Sequence, residues 1–322
     1  MNPSAPETLP EVTTSRVGTH WERPVNKRIY LLNIAPDGNP EGWQPRVRYL
    51  TYPLIANYAR KIGASIVEIT ERKFPTFPIT YEKLQIHALA KQEVRAMIPI
   101  QGEPPFGFEI TQAVVPVAEW NIYIDLDALV NPEFFDITQM LPKDHVAHNG
   151  RDMANMRWRY DQYFKRDGRH WGSCNWFSIA SDWCLDLWRP LDDLTAAEAL
   201  ANINITIQEH NSGQCKTEHL IDDYTLSRNI ARFGLKSTTV IDVCGNLGFK
   251  EPSGRGYNPF LWHIYTETEE QKLNRMLNVL SAPNRAVIPD PRNPQQPMDM
   301  GWGLMQEADA NKLREQWQLP RR

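Results

Sequence analysis

The stretch from Trp120 to Val130 constrains the fold of this chain more than any other. Ile122, Tyr123 and Ile124 are β-branched or aromatic, which suits a buried strand. Asp125 and Asp127 follow directly, with Leu126 between them. Residues two apart on an extended backbone point to the same side, and Asn131-Pro132 marks a turn just beyond. Two carboxylates therefore leave a buried strand together, where a sheet meets solvent. Unpaired, they repel each other in a partly dry setting. A hard divalent cation that accepts carboxylate oxygens is the economical partner. Most Asp-x-Asp triplets are solvated loop acids or caps. This one differs in its place between an apolar strand and a second apolar run, Ala128-Leu129-Val130.

The chain before this point alternates in period. Residues 28–34 read as the first strand of a buried parallel sheet, and Pro36-Asp37-Gly38-Asn39-Pro40 as the loop after it. Ligands of open α/β sheets bind at such carboxyl ends of strands. A helix is expected over 52–62, with Thr51 as N-cap, Pro53 in the first turn and Gly63 as the stop. Residues 65–69 read as a second strand, and 81–97 as a second helix. The order β-α-β-α-β, ending at the two acids, predicts an α/β fold with a mostly parallel central sheet flanked by helices.

Beyond Pro132 the signals are weaker. A short helix is expected over 133–140 and a short strand over 145–148. Residues 149–172 are polar, aromatic and basic, and suit a loop beside the site, with a helical piece over 153–164. Residues 176–180 read as a strand, after which Ser181 caps a helix to about 188. A longer helix is expected over 217–233, stopped by Gly234. A β-branched strand covers 237–243, and an apolar segment around His263 covers 260–264. A further helix is expected over 266–280. From 281 the chain is rich in Pro and Asn, then weakly helical from about 306. Residues 1–25, rich in Pro, Ser, Thr and Glu, read as a flexible arm. One domain over 26–266 follows, with a donor half to about 131 and an acceptor half after it. Residues 267–322 form a C-terminal helix and a Pro-rich extension.

Composition narrows the function classes. With 322 residues, 41% of them hydrophobic, the chain can bury a large core. A net charge of -4 and no long basic run argue against stable binding to a nucleic-acid backbone. No apolar run approaches a membrane span, and no signal-peptide core is evident, so a cytoplasmic protein is expected. Cys174, Cys184, Cys215 and Cys244 form no Cys-x-x-Cys pair, which fits free thiols rather than a structural zinc site. Eleven tryptophans is a high count; core packing accounts for more than half of them, and a few in polar surroundings suit aromatic platforms in a sugar or base site.

The order of these features resembles a GT-A-fold glycosyltransferase over about residues 28–266. The resemblance rests on the first strand and its loop, and on the segment Tyr81-Glu82-Lys83-Leu84-Gln85-Ile86. It rests also on Ile122-Tyr123-Ile124-Asp125-Leu126-Asp127, the strand Trp176-Phe177-Ser178-Ile179, and a helix with Asp222-Asp223. It implies a nucleotide diphosphate sugar donor, a UDP-sugar foremost, and Mn2+ or Mg2+ held by Asp125 and Asp127. His263 would be a third ligand. Asn33, Ala35, Lys83 and Leu126 would lie against the donor, with Lys83 neutralising phosphate. Asp223, ahead of Asp222, would act as base on the acceptor hydroxyl or position it. Asn175, Trp176 and Arg157 would face the acceptor. Departures stand beside this. Gly172-Ser173-Cys174-Asn175 replaces an Asn-Ala-Gly acceptor sequence, and Asp222-Asp223 replaces a Glu-Asp pair, so retaining and inverting chemistry stay open. Paired carboxylates after a strand also suit a nucleotidyltransferase or a metal-dependent phosphohydrolase. A non-catalytic nucleotide- or carbohydrate-binding protein is the third reading.

Overall fold

A computed structural model describes residues 26–35, 38, 42–101, 106–151, 173–201, 221–240, 243, 261–264, 268–282, 285–290 and 293–319. The expected N-terminal arm and the helical piece over 153–164 lie outside these residues.

The sheet grows from β1 (Lys27–Leu32), β2 (Ala64–Ile69) and β5 (Trp120–Ile124). β1 runs parallel to both neighbours, with Tyr30 opposite Val67 on one side and Tyr123 on the other. β3 (Val94–Gln101) and β4 (Glu109–Val115) extend it antiparallel beyond β2. β8 (Ser173–Ser181) pairs antiparallel with β5, and β7 (His145–Arg151) antiparallel with β8. β9 (Lys236–Thr239) closes the far edge, parallel to β7. The eight strands run β4-β3-β2-β1-β5-β8-β7-β9. The α/β class stands, and the sheet is mixed, with parallel pairing at its centre.

Alternation along the central strands feeds two cores. Ile29, Leu31, Ile122 and Ile124 face one side, where Tyr52, Ile55, Ala56 and Ala59 of α1 (Pro45–Ile62) cover them. Tyr30 and Tyr123 face the other, under Tyr81, Leu84 and Ile86 and under Ile221, Tyr224 and Leu226 of α3 (Ile221–Arg232). Full burial of each isoleucine or leucine among them contributes about 1.5–3 kcal/mol. Arg28 also lies within β1 and is completely buried. Its guanidinium donates to the carbonyls of Leu89 at 2.7 Å, Gln92 at 2.9 Å, Val115 at 3.0 Å and Pro116. It thereby ties β1 to the end of β4, which does not pair with it directly, and to the segment between α2 and β3.

Two expectations are corrected here. The helix over 52–62 begins earlier, at Pro45, and Pro53 lies inside it. Pro45 is the first-turn proline, where a missing N–H costs nothing. Thr51 is no cap; it is buried mid-helix, with its hydroxyl 2.6 Å from the Leu126 carbonyl. The expected helix over 81–97 divides into a 3-10 helix (Ile79–Gln85), a short α2 (Ile86–Leu89) and strand β3. Neither Gly nor Pro separates these pieces, so the period-2 pattern of Val94, Ala96 and Ile98 was masked by the helix-forming run before it.

Other elements shift more modestly. The expected helix over 133–140 is a 3-10 turn (Ile137–Met140), and the one capped by Ser181 is a 3-10 helix (Asp182–Trp188). Ser181 does cap it, accepting from the Trp183 amide. Gly63 and Gly234 both adopt positive φ after their helices, as the stop signals require. The strand expected over 237–243 ends at Thr239.

The C-terminal part packs against the rest of the molecule. α4 (Glu269–Ser281) and α5 (Glu307–Gln316) share a third apolar cluster with Val47, Leu50 and Leu54 of α1 and with Leu129. Thr268 caps α4, and Arg46 of α1 grips Glu269 with two bonds, at 3.2 and 2.9 Å. Strands β11 (Arg285–Asp290) and β12 (Asn293–Gly301) form a hairpin between these helices, in a stretch whose prolines suggested an irregular chain.

Candidate metal centre

β1 is followed in the chain by β2 on one side, and the next parallel neighbour, β5, lies on the other. The crevice beyond their carboxyl ends is the place where open α/β sheets bind ligands. Asp125 is the first residue past β5. Its amide donates to the Trp176 carbonyl at 2.8 Å, and its own carbonyl accepts from Ala128 at 3.0 Å. That turn lets β6 (Ala128–Val130) leave the main sheet and pair antiparallel with β10 (Leu261–His263). The register sets His263 opposite Ala128, beside Asp127. A residue 136 positions away in sequence is thus brought onto the second acid.

The side chains converge by a simple division of atoms. His263 Nε2 is 3.1 Å from Asp127 Oδ1 and 3.7 Å from Asp125 Oδ2. The other oxygen of each carboxylate is held by a lysine. Lys272 Nζ is 2.5 Å from Asp127 Oδ2, and Lys83 Nζ is 3.1 Å from Asp125 Oδ1. Tyr123 also donates its hydroxyl to Asp125 Oδ1. One oxygen from each acid and one imidazole nitrogen therefore face a common point. Asp125, Asp127 and His263 each offer a ligand atom within 4.8 Å of the others. This donor set fits a divalent ion, and the lysines and the tyrosine supply the outer bonds that orient metal-binding carboxylates.

Electrostatics follow from burial and pairing. Burial works against the charge of Asp127, but His263 and Lys272 hold its carboxyl well below the usual range. Burial likewise opposes a charged His263, and Asp127 outweighs it, so the imidazole pKa is raised. Lys83 is buried as well, yet Asp125 and Asp222 raise it above an ordinary lysine. Lys83 Nζ also lies 2.5 Å from Asp222 Oδ2. One ammonium thus serves two carboxylates, and burial leaves Asp222 raised. Oδ1 of Asp222 is buried and meets no donor among the described residues. Burial, then Asp125, pushes the Tyr123 hydroxyl well up.

Aromatic rings flank the cluster. Trp176 stacks on His263 with ring centres 5.0 Å apart and planes 17° from parallel. The ammonium of Lys83 lies 4.7 Å from the centre of Tyr123, and that of Lys272 4.8 Å from the centre of Trp43. Such contacts hold cations where hydration is reduced.

The expected site residues divide into groups. Asp125, Asp127, His263, Lys83, Asp222 and Trp176 are together. Asp223, in the first turn of α3, adds to the negative field at Lys83. Asn33 holds the loop after β1, donating to Glu68 at 3.0 Å and accepting from the Trp43 amide at 2.9 Å. Gly42 makes this possible, because a Cβ there would meet Asn33 Oδ1 at 2.3 Å. Ala35 lies in the same loop, where its carbonyl accepts from Gly38. Leu126 is a core residue, and its carbonyl is tied to Thr51. Asn175 is in β8, with its side chain outside the described residues, as is all of Arg157.

Sequence reasoning missed Lys272, Trp43 and Thr51. Lys272 carried no signal, since Glu269-Glu270-Gln271-Lys272 reads as an ordinary solvated helix start. Trp43 was visible only as one tryptophan beyond a Gly-Pro loop. The sequence matches no known protein-family model and no curated protein. No described helix is long and apolar enough to cross a membrane.

Proposed function

We propose that this protein is a metal-dependent glycosyltransferase that moves a sugar from a nucleotide diphosphate sugar, a UDP-sugar foremost, to an acceptor. The observation that carries the reading is the convergence of Asp125, Asp127 and His263 beyond the carboxyl ends of β1 and β5. Manganese or magnesium held by these three residues would stabilise negative charge as it develops on a leaving diphosphate. Asp125 and Asp127 each turn one oxygen toward that point because Lys83 and Lys272 hold the other. Trp176 stacks on the His263 ring and covers one side of it. Lys83 lies between Asp125 and Asp222 and brings positive charge to where a phosphate would lie. Asp222 is assigned to the acceptor hydroxyl in preference to Asp223, because burial raises its carboxyl and its Oδ1 meets no donor among the described residues.

The test is a thermal-shift panel of UDP-, GDP-, CMP- and dTDP-sugars, each with and without manganese. A ligand of the native state raises the melting temperature by mass action. A rise of several degrees for a UDP-sugar, present only with manganese, is expected. A metal-independent rise would remove the ligand role of Asp125 and Asp127. No rise with any donor would shift the reading to a phosphohydrolase or a binding protein. Product analysis separates the enzymes: nucleoside diphosphate from a transferase, pyrophosphate or inorganic phosphate from the alternatives.

A further inference from the structure

The two edges of the main sheet are built differently. β9 is four residues long and begins with Lys236, whose ammonium is paired with Asp144. Short strands and charged side chains are the usual protection of an open edge. β4 has neither safeguard. It runs for seven residues, Glu109–Val115, contains no proline or lysine, and carries its one charge at its first position. Among the described residues no strand pairs with its outer side. Val114 is 67% exposed, and Ile100 of β3 and Val117 just after β4 are exposed as well. These are the only large aliphatic side chains exposed among the described residues.

The direction of the backbone along β4 is fixed at both ends. Val115 turns its carbonyl inward, where Arg28 donates to it at 3.0 Å. Ile110 stands opposite Pro99, which has no N–H to give and so suits a pair that exchanges no ladder bonds. Pairs alternate along an antiparallel ladder. Ile110, Gln112 and Val114 therefore aim their N–H and C=O groups away from β3, along the open edge. In character the strand is nearly symmetric about Gln112. Ile110 and Val114 lie two residues away on either side, and the small Thr111 and Ala113 one residue away. An antiparallel copy centred on Gln112 sets Ile110 opposite Val114 and Gln112 opposite itself. Each outward N–H then meets an outward C=O, and Glu109 faces Val115 rather than a second Glu109. Apolar cross-strand pairs stabilise such a ladder, and like charges set opposite each other would destabilise it.

We propose that β4 is a self-association edge, at which two copies of this chain join their sheets across a two-fold axis through Gln112. The axis stands perpendicular to the sheet, so the Asp125, Asp127 and His263 clusters of the two copies open at opposite ends of the joined sheet. A pairing of this length is at the small end of specific interfaces, below about 1,200 Å2, and micromolar affinity is expected.

The experiment is sedimentation velocity of the full chain at concentrations on the order of 1 to 100 μM, which bracket a micromolar equilibrium. A reversible monomer–dimer equilibrium is expected. Gln112→Pro removes an outward donor without touching the β3 ladder, and Val114→Lys puts a charge on the edge opposite Ile110 of the second copy. Each should weaken the dimer by roughly tenfold or more, with the circular dichroism of the wild type retained. Gln112→Cys sets two thiols across the axis with Cα atoms about 5.5 Å apart, within disulfide range, and should cross-link on mild oxidation. Val114→Cys, whose two copies lie far from each other in this register, should not exceed the background set by the wild type and its own cysteines. A chain that stays monomeric over the whole range overturns the inference and leaves the edge to a strand of another protein. A dimer unmoved by both Gln112→Pro and Val114→Lys overturns it by placing the contact elsewhere. Cross-linking through Val114→Cys and not Gln112→Cys excludes the two-fold at Gln112. Growth into open-ended aggregates instead of a closed dimer would mark β4 as a merely unprotected edge and overturns it too. If Gln112→Pro does not fold, Val114→Lys, at a side chain already exposed, carries the same test.

Discussion

At the scale of single residues, the two acids of the centre differ in what their removal does. Asp127 is the deeper and is held by His263 and Lys272 together. Asp127→Asn leaves a buried ammonium without its counter-charge, which costs about 3–5 kcal/mol. Asp125 is the more exposed, and Lys83 keeps Asp222 when Asp125 becomes neutral. Asp125→Asn should therefore lower the melting temperature less than Asp127→Asn, while both remove the manganese-dependent part of donor stabilisation. Thermal shift on the two variants measures both effects. A metal-dependent shift that survives in both would sink the ligand assignment. Arg28 makes a prediction independent of any function. Four carbonyls face its guanidinium. Arg28→Met keeps the stem and strips the donors, so it should cost at least about 3 kcal/mol in denaturant unfolding. A variant with an unchanged midpoint would show that water or a shift of the chain satisfies those carbonyls.

At the scale of elements, α1 links the sheet to the site. Its inner face covers β1, β2 and β5, its flank meets α4, and Thr51 bonds the carbonyl between the two acids. Thr51→Val keeps the shape and volume of the side chain but removes that donor. The expected cost is about 1–3 kcal/mol, since a buried carbonyl loses its partner. A loosened Leu126 should also weaken manganese-dependent stabilisation, although Thr51 touches neither acid's carboxylate. Stability lost with the metal response unchanged would mean that Lys83 and Lys272 alone fix the carboxylates. The β6–β10 ribbon matters in the same way. Its three pairs set the register that puts His263 on Asp127, and a slip of one residue would turn the imidazole to the opposite face.

At the scale of the whole molecule, the three apolar clusters are not independent units. α1 contributes to two of them, and the residues from 268 to 319 supply much of the third. Ile66→Ala in the sheet and Leu277→Ala in α4 should each cost about 2–5 kcal/mol. Both should move one common transition, followed by tryptophan fluorescence and by far-ultraviolet circular dichroism. Two transitions, one sensitive to Leu277→Ala and the other to Ile66→Ala, would mean that the C-terminal helices unfold as a separate body. A single transition fits the ion pairs between Arg46 and Glu269 and between Lys272 and Asp127, which bind α4 to the central layer.

Much of this protein was written in local pattern. The apolar run ending at Asp125, the strands beginning at Lys27 and Ala64, and the stops at Gly63 and Gly234 are properties of neighbouring residues. Backbone sterics and side-chain period act over such short distances, so the α/β class and the candidate acids could be read directly. Reading failed where two signals ran together, as between α2 and β3, or where a proline had two plausible places, as with Pro45 and Pro53. Sheet order, the antiparallel pairing of β8 with β5 and the β11–β12 hairpin depend on which distant segments meet. No local period encodes that choice. The chemistry of the centre divides along the same line. Asp125 and Asp127 were visible because they are two residues apart, and His263 was a candidate only by resemblance. Lys272 was invisible, because a helix lysine looks the same whether it faces water or a buried carboxylate. Only packing of α4 against α1 and β6 decides which, since charge interactions are set by distance in space and by exclusion of water.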